Sequence, residues 1–357
     1  MIRTIRRIAY ATATQHLSRL SVVEGRLKGT DVPFRCLFVS TSDFTESLKK
    51  RLYEEPPAVV ASSRIWLRQA RKRIEERLGS VDLCVAVLPK GLQPAFEGFY
   101  DFRTTEVVRQ VIDTSGTWDE IRGRFSNNKR RIANKFADRY GLAYRISNDL
   151  ADFDLFYHRM FVPHIRKRFG DLADIESYED MKEHFHRGHL VFITKGDTSV
   201  AGALSLMENG AIVFRRTGVL DGDESHVEGG AQTALYYFQL KYASDHHLKA
   251  VDTMLSDPFL NDGVYQHKRE WGARVLPDAE ATRWVYFVQA RPSEKMARAF
   301  ERIPLVYYSE NGLGGLIGVP EAADASDPAV GKTVYRYKSD GIQDFTVMTP
   351  TGTFRAQ

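Results

Sequence analysis

Cysteine is scarce in this chain of 357 residues: Cys36 and Cys84 are the only two. Each lies inside an apolar run that reads as a strand, Phe34 to Val39 and Asp82 to Leu88. Small buried thiols are common in such runs, so the pair reads as core packing rather than redox chemistry. Long apolar runs are missing too. No stretch approaches the roughly 20 residues that a membrane helix needs, and the opening Met1-Ile2-Arg3-Thr4-Ile5-Arg6-Arg7-Ile8 lacks the apolar run of a secretory signal. A cytoplasmic location is the expectation. Neither sign of charge dominates: the formal net charge is +4 and hydrophobic residues make up 43%. That balance describes a globular protein without singling out nucleic acid or membrane. Strict repeats and low-complexity segments are also missing. The length exceeds the usual size of one domain, so two compact units, each with its own core, are expected.

What is present organises into elements. Before residue 115 the signals alternate: strand Phe34 to Val39, helix Phe44 to Leu52, helix Arg64 to Leu78, strand Asp82 to Leu88. This is an α/β pattern, and Asp113-Thr114-Ser115-Gly116 reads as a boundary. From Trp118 the apolar residues Ile121, Phe125, Ile132 and Phe136 recur at helical spacing, and Gly141 reads as the C-cap. The predicted order continues with strand Leu142 to Ile146, helices Asp152 to Arg168 and Tyr178 to Arg187, and strands Leu190 to Thr194, Val200 to Met207 and Ala211 to Thr217. Hairpin turns at Lys195-Gly196-Asp197 and Glu208-Asn209-Gly210 join the three strands. A helix from Gly230 to about His247, strand Ala250 to Leu255, a short helix near Val264 to Trp271 and strand Trp284 to Ala290 follow. The tail reads as a hairpin, with Val334-Tyr335-Arg336-Tyr337 turning at Ser339-Asp340-Gly341 into Phe345-Thr346-Val347.

From Leu142 onward this order resembles the GNAT fold, an α/β architecture whose central sheet is mixed but largely antiparallel. The local sequences are similar to those of Fem-type peptidyltransferases and of acetyltransferases from polysaccharide gene clusters. The residues that carry the resemblance are Val200-Ala201-Gly202-Ala203-Leu204, Gly230-Ala231-Gln232-Thr233-Ala234-Leu235-Tyr236-Tyr237 and Asp262-Gly263-Val264-Tyr265-Gln266-His267-Lys268-Arg269-Glu270-Trp271-Gly272. The resemblance covers about half the chain. It implies a catalytic GNAT-like domain over 116–305, a smaller α/β domain over 1–115 readable as a degenerate GNAT-like copy, and an extension over 306–357.

The resemblance also implies where a donor binds. GNAT enzymes resemble one another in a glycine-containing loop that holds the pyrophosphate of acyl-CoA at a helix N-terminus, where backbone N–H groups and the positive helix end stabilise the anion. His226-Val227-Glu228-Gly229-Gly230-Ala231 occupies that place, with Gln232 next, although His226 stands where a basic or amide residue is usual and Glu228 adds a negative charge. An ordinary helix start is the plain alternative. Arg215 and Arg216 end the preceding strand and could clamp phosphate or carboxylate; strand alternation puts one inward and one outward.

For chemistry, Asp252 within strand Ala250 to Leu255 is placed to meet an acceptor amine and take its proton. By the resemblance, Lys268 ahead of Trp271-Gly272 stabilises a developing oxyanion or the donor carboxyl. Tyr236 could donate a proton to a leaving thiolate, with core packing as the alternative. Asp257, Arg130 and Arg131 are the candidate substrate contacts, although Asp257-Pro258 reads first as a turn former. Two basic stripes, Arg122, Arg124, Lys129, Arg130, Arg131, Lys135 and Arg139 in one and Arg64, Arg68, Arg71, Lys72, Arg73 and Arg77 in the other, would attract polyanions such as tRNA. No metal site is expected: His184, His186 and His189 do not converge on one helix face. Acyl-CoA-dependent transfer to an amine or hydroxyl of a small molecule or peptide is the leading expectation. Aminoacyl-tRNA-dependent transfer to a peptide or cell-wall precursor is the alternative, and a non-catalytic GNAT-like binding module the third.

Overall fold

The computed structural model describes residues 17–40, 42–136, 140–170, 173, 175–322 and 324–356. They form a mixed α/β protein that divides into two compact units: 1–108 with 256–266 and 276–357, and 109–255 with 267–275. Among the described residues no helix is long and apolar enough to cross a membrane.

The first unit opens with β1 (Leu17–Arg26), β2 (Pro33–Val39), α1 (Asp43–Leu52), β3 (Ala58–Trp66), α2 (Ala70–Glu75), β4 (Leu83–Pro89) and β5 (Phe102–Thr104). Strands β2 and β4 run parallel and bury Cys36 and Cys84 side by side in adjacent rungs, both as free thiols. Arg64 to Trp66, expected to begin a helix, instead complete β3, where Arg64 pairs with Arg19 of β1. The β-branched run Val59-Val60 and the partner strand decide the conformation there, and the helix starts only after it. The basic residues Arg71, Arg73 and Arg77 are paired with Glu75 and Glu76, so this stripe is balanced on its own surface.

The second unit is built on a seven-stranded sheet of β6 (Val108–Asp113), β7 (Leu142–Ser147), β8 (Gly188–Lys195), β9 (Thr198–Glu208), β10 (Ala211–Val219), β11 (Ala250–Ser256) and β12 (Arg274–Leu276). Their order in the sheet is β12-β6-β11-β10-β9-β8-β7. Strands β7 to β10 pair antiparallel in sequence, and the hairpin turns predict the β8–β9 and β9–β10 pairs. The expected single helix after Trp118 is two, α3 (Trp118–Gly123) and α4 (Asn127–Ala133). Ser126 explains the break: its side chain accepts from the Lys129 N–H and so caps a new helix inside the apolar period. Next come α5 (Leu150–Leu155), a π-helical turn (Phe156–Phe161), α6 (Val162–Phe169) and α7 (Tyr178–Phe185). The π turn lies hard against β10, because a Cβ on Gly218 would fall 2.4 Å from the Met160 carbonyl carbon. Phe153, Phe156, Met160, Met181 and Phe185 pack there with Leu190, Phe192 and Leu204 of the sheet.

A short helix α8 (Glu224–Glu228) and the long α9 (Ala231–Asp245) belong to a different cluster. Ala231, Ala234, Leu235, Leu240 and Ala243 of α9 join Ile193, Ala201, Ala203 and Ile212 of the sheet in it. The fold thus has the meander, helix and parallel strand order that the GNAT resemblance implies. After β11 comes α10 (Gly263–Glu270).

The strand expected to complete that order does not join this sheet. β13 (Arg283–Val288) pairs with β4 and β5 of the first unit, burying Val285, Tyr286 and Phe287. Its near-continuous apolar run suits a strand buried on both faces, and sequence pattern does not say which sheet receives it. The tail differs as well. After α11 (Glu294–Arg302), β14 (Leu305–Ser309) and β15 (Gly312–Gly318), residues 328–337 form helix α12 (Pro328–Tyr337), not the first arm of a hairpin. Asp327 caps it, Pro328 sits in its first turn, and Val330, Val334 and Tyr337 are buried at helical spacing. β16 (Ile342–Met348) and β17 (Thr353–Ala356) complete the smaller sheet.

Candidate functional site

The site begins where two parallel strands part. β10 and β11 pair through Ala211–Ala250, Ile212–Val251 and Val213–Asp252, and beyond that rung no pairing joins them, although β10 runs on to Val219 and β11 to Ser256. At the same point β10 carries a bulge against β9: Phe214 faces Ser205 and Arg216 faces Leu204, leaving Arg215 as the extra residue. Bulges re-aim side chains, and this one overturns the expected alternation. Arg215 and Arg216 both reach Glu176, at 3.7 and 2.7 Å, and Arg215 Nη2 also lies 3.0 Å from His184 Nε2.

Asp252 is 7% exposed. Its Oδ2 accepts from Arg109 Nε at 2.6 Å and its Oδ1 accepts the Met254 N–H at 2.8 Å. Met254 has φ +64°, a left-handed conformation costly for a residue with a long side chain. Lys268, 3% exposed, donates from Nζ to the Leu255 carbonyl at 2.8 Å and the Met254 carbonyl at 3.3 Å. The two residues read as catalytic therefore share the task of fixing a strained turn in β11 where it leaves β10.

Tyr236 of α9 sets its ring 4.8 Å from Phe214 and 4.7 Å from His267, both edge-on, and burial raises its hydroxyl above the ordinary tyrosine value. His267 receives Lys129 Nζ at 3.2 Å on Nδ1, and burial, with Lys129 and Lys268 nearby, lowers its imidazole to about 4. Lys129 is itself buried and lies 3.3 Å from Glu270. Other members of the basic stripe on α3 and α4 bond neutral groups nearby. Arg122 bonds Asn134, Arg124 bonds the Asp113 carbonyl, and Arg130 and Arg131 bond Asn127 and Asn128 of their own helix. Arg139 lies outside the described residues. Asp257 belongs to the first unit, where it accepts from Ser47 at 3.1 Å and faces Arg51. His184 and His189 go separate ways: His184 lies against Glu176, while His189 packs on Tyr242, and burial with His246 nearby lowers it to about 4.

The loop before α9 is folded tightly. Asp223 caps α8 by accepting the Ser225 N–H, the Gly229 N–H goes to Ser225 and the Gly230 N–H goes to Val227. Gly230, at φ +85°, turns the chain into α9. The two glycine amides expected to face an anion are thus already bonded within the preceding turn. A cavity opens on either side of this junction. His226, Gly229 and Ala231 line one of about 160 Å³ with Tyr140 and Lys195. Gln232, Gly222, Glu224 and Val227 line another of about 320 Å³, closed by His164, Lys167 and Arg168 of α6. Burial, with Arg168 nearby, holds the His164 imidazole below its ordinary value. Lys167, Arg168 and Glu176 were not singled out in the sequence. A basic last turn ordinarily complements the helix dipole, which hides its facing a cavity.

No protein-family model matches this sequence, and no curated protein matches it. Among solved structures the chain is similar to FemX, at 12% identity over 78% of this chain and 90% of that one, with a TM-score of 0.40. It is also similar to L-PGS from Bacillus licheniformis, at 10% identity over 76% and 85%, with a TM-score of 0.37. A GCN5-related N-acetyltransferase from Sphaerobacter thermophilus matches at 12% identity over 78% and 82%, with a TM-score of 0.34.

Proposed function

We propose that the second unit transfers an acyl group from acyl-CoA to an amine or hydroxyl acceptor by direct attack. The observation that carries this reading is the parting of β10 and β11 in the unit whose 320 Å³ cavity lies at the start of α9. Strands that separate leave backbone N–H groups of β10 facing the gap, and an acyl carbonyl lying there gains donors for the charge its oxygen develops. The donor's phosphates meet the first-turn amides and Gln232 of α9, with Lys167 and Arg168 on the opposite wall.

The free amine adds to the thioester carbonyl, the oxygen takes up the negative charge, and collapse of the adduct breaks the C–S bond and expels the CoA thiolate, to which the proton lost by the nitrogen passes through water to give the CoA thiol. Tyr236 stays protonated throughout the neutral range and serves as a hydrogen-bond donor to that thiolate. Asp252 and Lys268 act as positioning residues, holding β11 in the turn that opens the gap.

The aminoacyl-tRNA alternative rests on the imperfect pyrophosphate loop and on the basic helices, where Arg122 and Arg124 make local bonds and Lys129 pairs with Glu270. Calorimetric titration of CoA into the full chain tests the reading. Wild type should bind, and the Lys167→Ala/Arg168→Ala double variant should bind at least about tenfold more weakly, since charge-assisted contacts are removed. Unchanged affinity in the double variant rejects the cavity, and tRNA binding without CoA binding favours the alternative donor.

A further inference from the structure

The bulge in β10 turns two consecutive arginines toward one carboxylate, and the partnership is incomplete. A guanidinium grips a carboxylate best through two parallel N–H···O bonds. Glu176 Oε2 lies 2.7 Å from Arg216 Nη2 but is too misaligned to gain a hydrogen bond, and Arg215 is 3.7 Å from the other oxygen. Among the described residues, the Nε atoms of both arginines and Nδ1 of His184 are buried without hydrogen-bond partners. His184 Nε2 sits 3.0 Å from Arg215 Nη2 and 3.1 Å from Glu176 Oε1. That nitrogen accepts from the arginine when neutral or donates to the carboxylate when protonated; it cannot do both at once. Among the described residues, two fixed positive charges therefore face one carboxylate that satisfies neither fully, while the arginine side chains remain 26% and 33% exposed.

The geometry points to a carboxylate-binding subsite at Arg215 and Arg216, in which Glu176 is a resident carboxylate that a ligand's carboxylate displaces. Both arginines follow Val213, the last residue of β10 paired with β11, so the subsite opens where the strands part. A planar, singly charged group with two oxygens matches the arginine forks and competes with the Glu176 carboxylate for them. On the acyl-transfer reading, on which this assignment of the ligand rests, the ligand is the acceptor: an amine that also carries a carboxylate, as a free amino acid or a peptide C-terminus does.

The test is a calorimetric titration of the full chain, without any acyl donor, with glycylglycine and with its C-terminal amide, which lacks only the carboxylate. Glycylglycine should bind about tenfold or more tightly than the amide, the discrimination a charge-assisted contact provides. Glu176→Gln should tighten glycylglycine by a similar factor and leave the amide unchanged. Arg216→Gln should erase the preference, and Arg216→Lys, which keeps the charge but loses the fork, should restore only part of it. Melting temperatures of the variants are measured alongside, and the wild-type comparison needs no variant. Equal affinity for acid and amide in wild type and Glu176→Gln, no binding of either, or tighter binding of inorganic phosphate than of glycylglycine overturns the proposal. Because no donor is present, failure of CoA to bind leaves this result untouched, and the two readings fail separately.

Discussion

Asp252 and Lys268 hold one backbone unit from its two ends: the carboxylate accepts the Met254 N–H at 2.8 Å, and the ammonium donates to the Met254 carbonyl at 3.3 Å. Between them Met254 keeps φ +64°. Left-handed backbone costs a non-glycine residue about 1–2 kcal/mol. Met254→Gly relieves that cost while losing a half-buried side chain, so its stability should stay within about 1 kcal/mol of wild type. Met254→Val should be less stable than Met254→Gly by about 2 kcal/mol, because a β-branched side chain tolerates this conformation worst. Chemical denaturation of both variants checks the ordering.

Removing either clasp should act on stability and turnover together. Lys268→Met leaves two carbonyls without the ammonium and should cost about 1–3 kcal/mol. Asp252→Asn keeps an acceptor for the Met254 N–H but uncouples Arg109, and should cost about 1–2 kcal/mol. Melting temperatures and kcat measured on the same variants decide the role. A hundredfold loss of kcat with an unchanged melting temperature in Lys268→Met would make Lys268 a group that touches the reacting atoms.

Gly218 marks the contact between β10 and the π-helical turn. A Cβ there would stand 2.4 to 2.7 Å from backbone atoms of Met160 and Phe161, none of which can rotate away. Gly218→Ala should therefore cost about 3 kcal/mol, near the upper end for overpacking. At Gly123 nothing lies within 4 Å, and Gly123→Ala should be neutral or slightly stabilising.

Much of this was legible in the sequence, and the reasons it stopped are local. The meander from Gly188 to Val219 and the helix after it follow from alternation, two hairpin turns and one long helical stretch. Asp252 and Lys268 were found as chemistry-bearing residues near one strand end, but the single residue they both bind depends on a positive φ at Met254 that no pattern announces. The bulge at Arg215 likewise reverses an alternation argument by one residue. Ser126 interrupts an apolar period that reads as one long helix, and Val334-Tyr335-Arg336-Tyr337 reads as a hairpin arm where Asp327 caps a helix.

Two histidines give the protein an acid-sensitive fold. Burial holds His267 and His189 each at about 4. An unfolded histidine takes its proton near 6.5, so between about 6.5 and 4 the unfolded chain binds more protons than the folded one. Stability is then full above that window and falls as pH falls through it. Each histidine should contribute about 3 kcal/mol across the window. Denaturation midpoints at pH 7 and 4.5 should converge for His189→Leu relative to wild type.

Hydrogen exchange of the full chain with and without CoA reads the donor site amide by amide. Exchange should slow at the first-turn amides of α9, from Ala231 to Thr233, and along β10 beyond Phe214, where the donor's phosphates and acyl arm would lie. CoA that changes exchange nowhere, or only around the first unit's cavity at Glu24, Arg35 and Lys295, would contradict this placement of the donor.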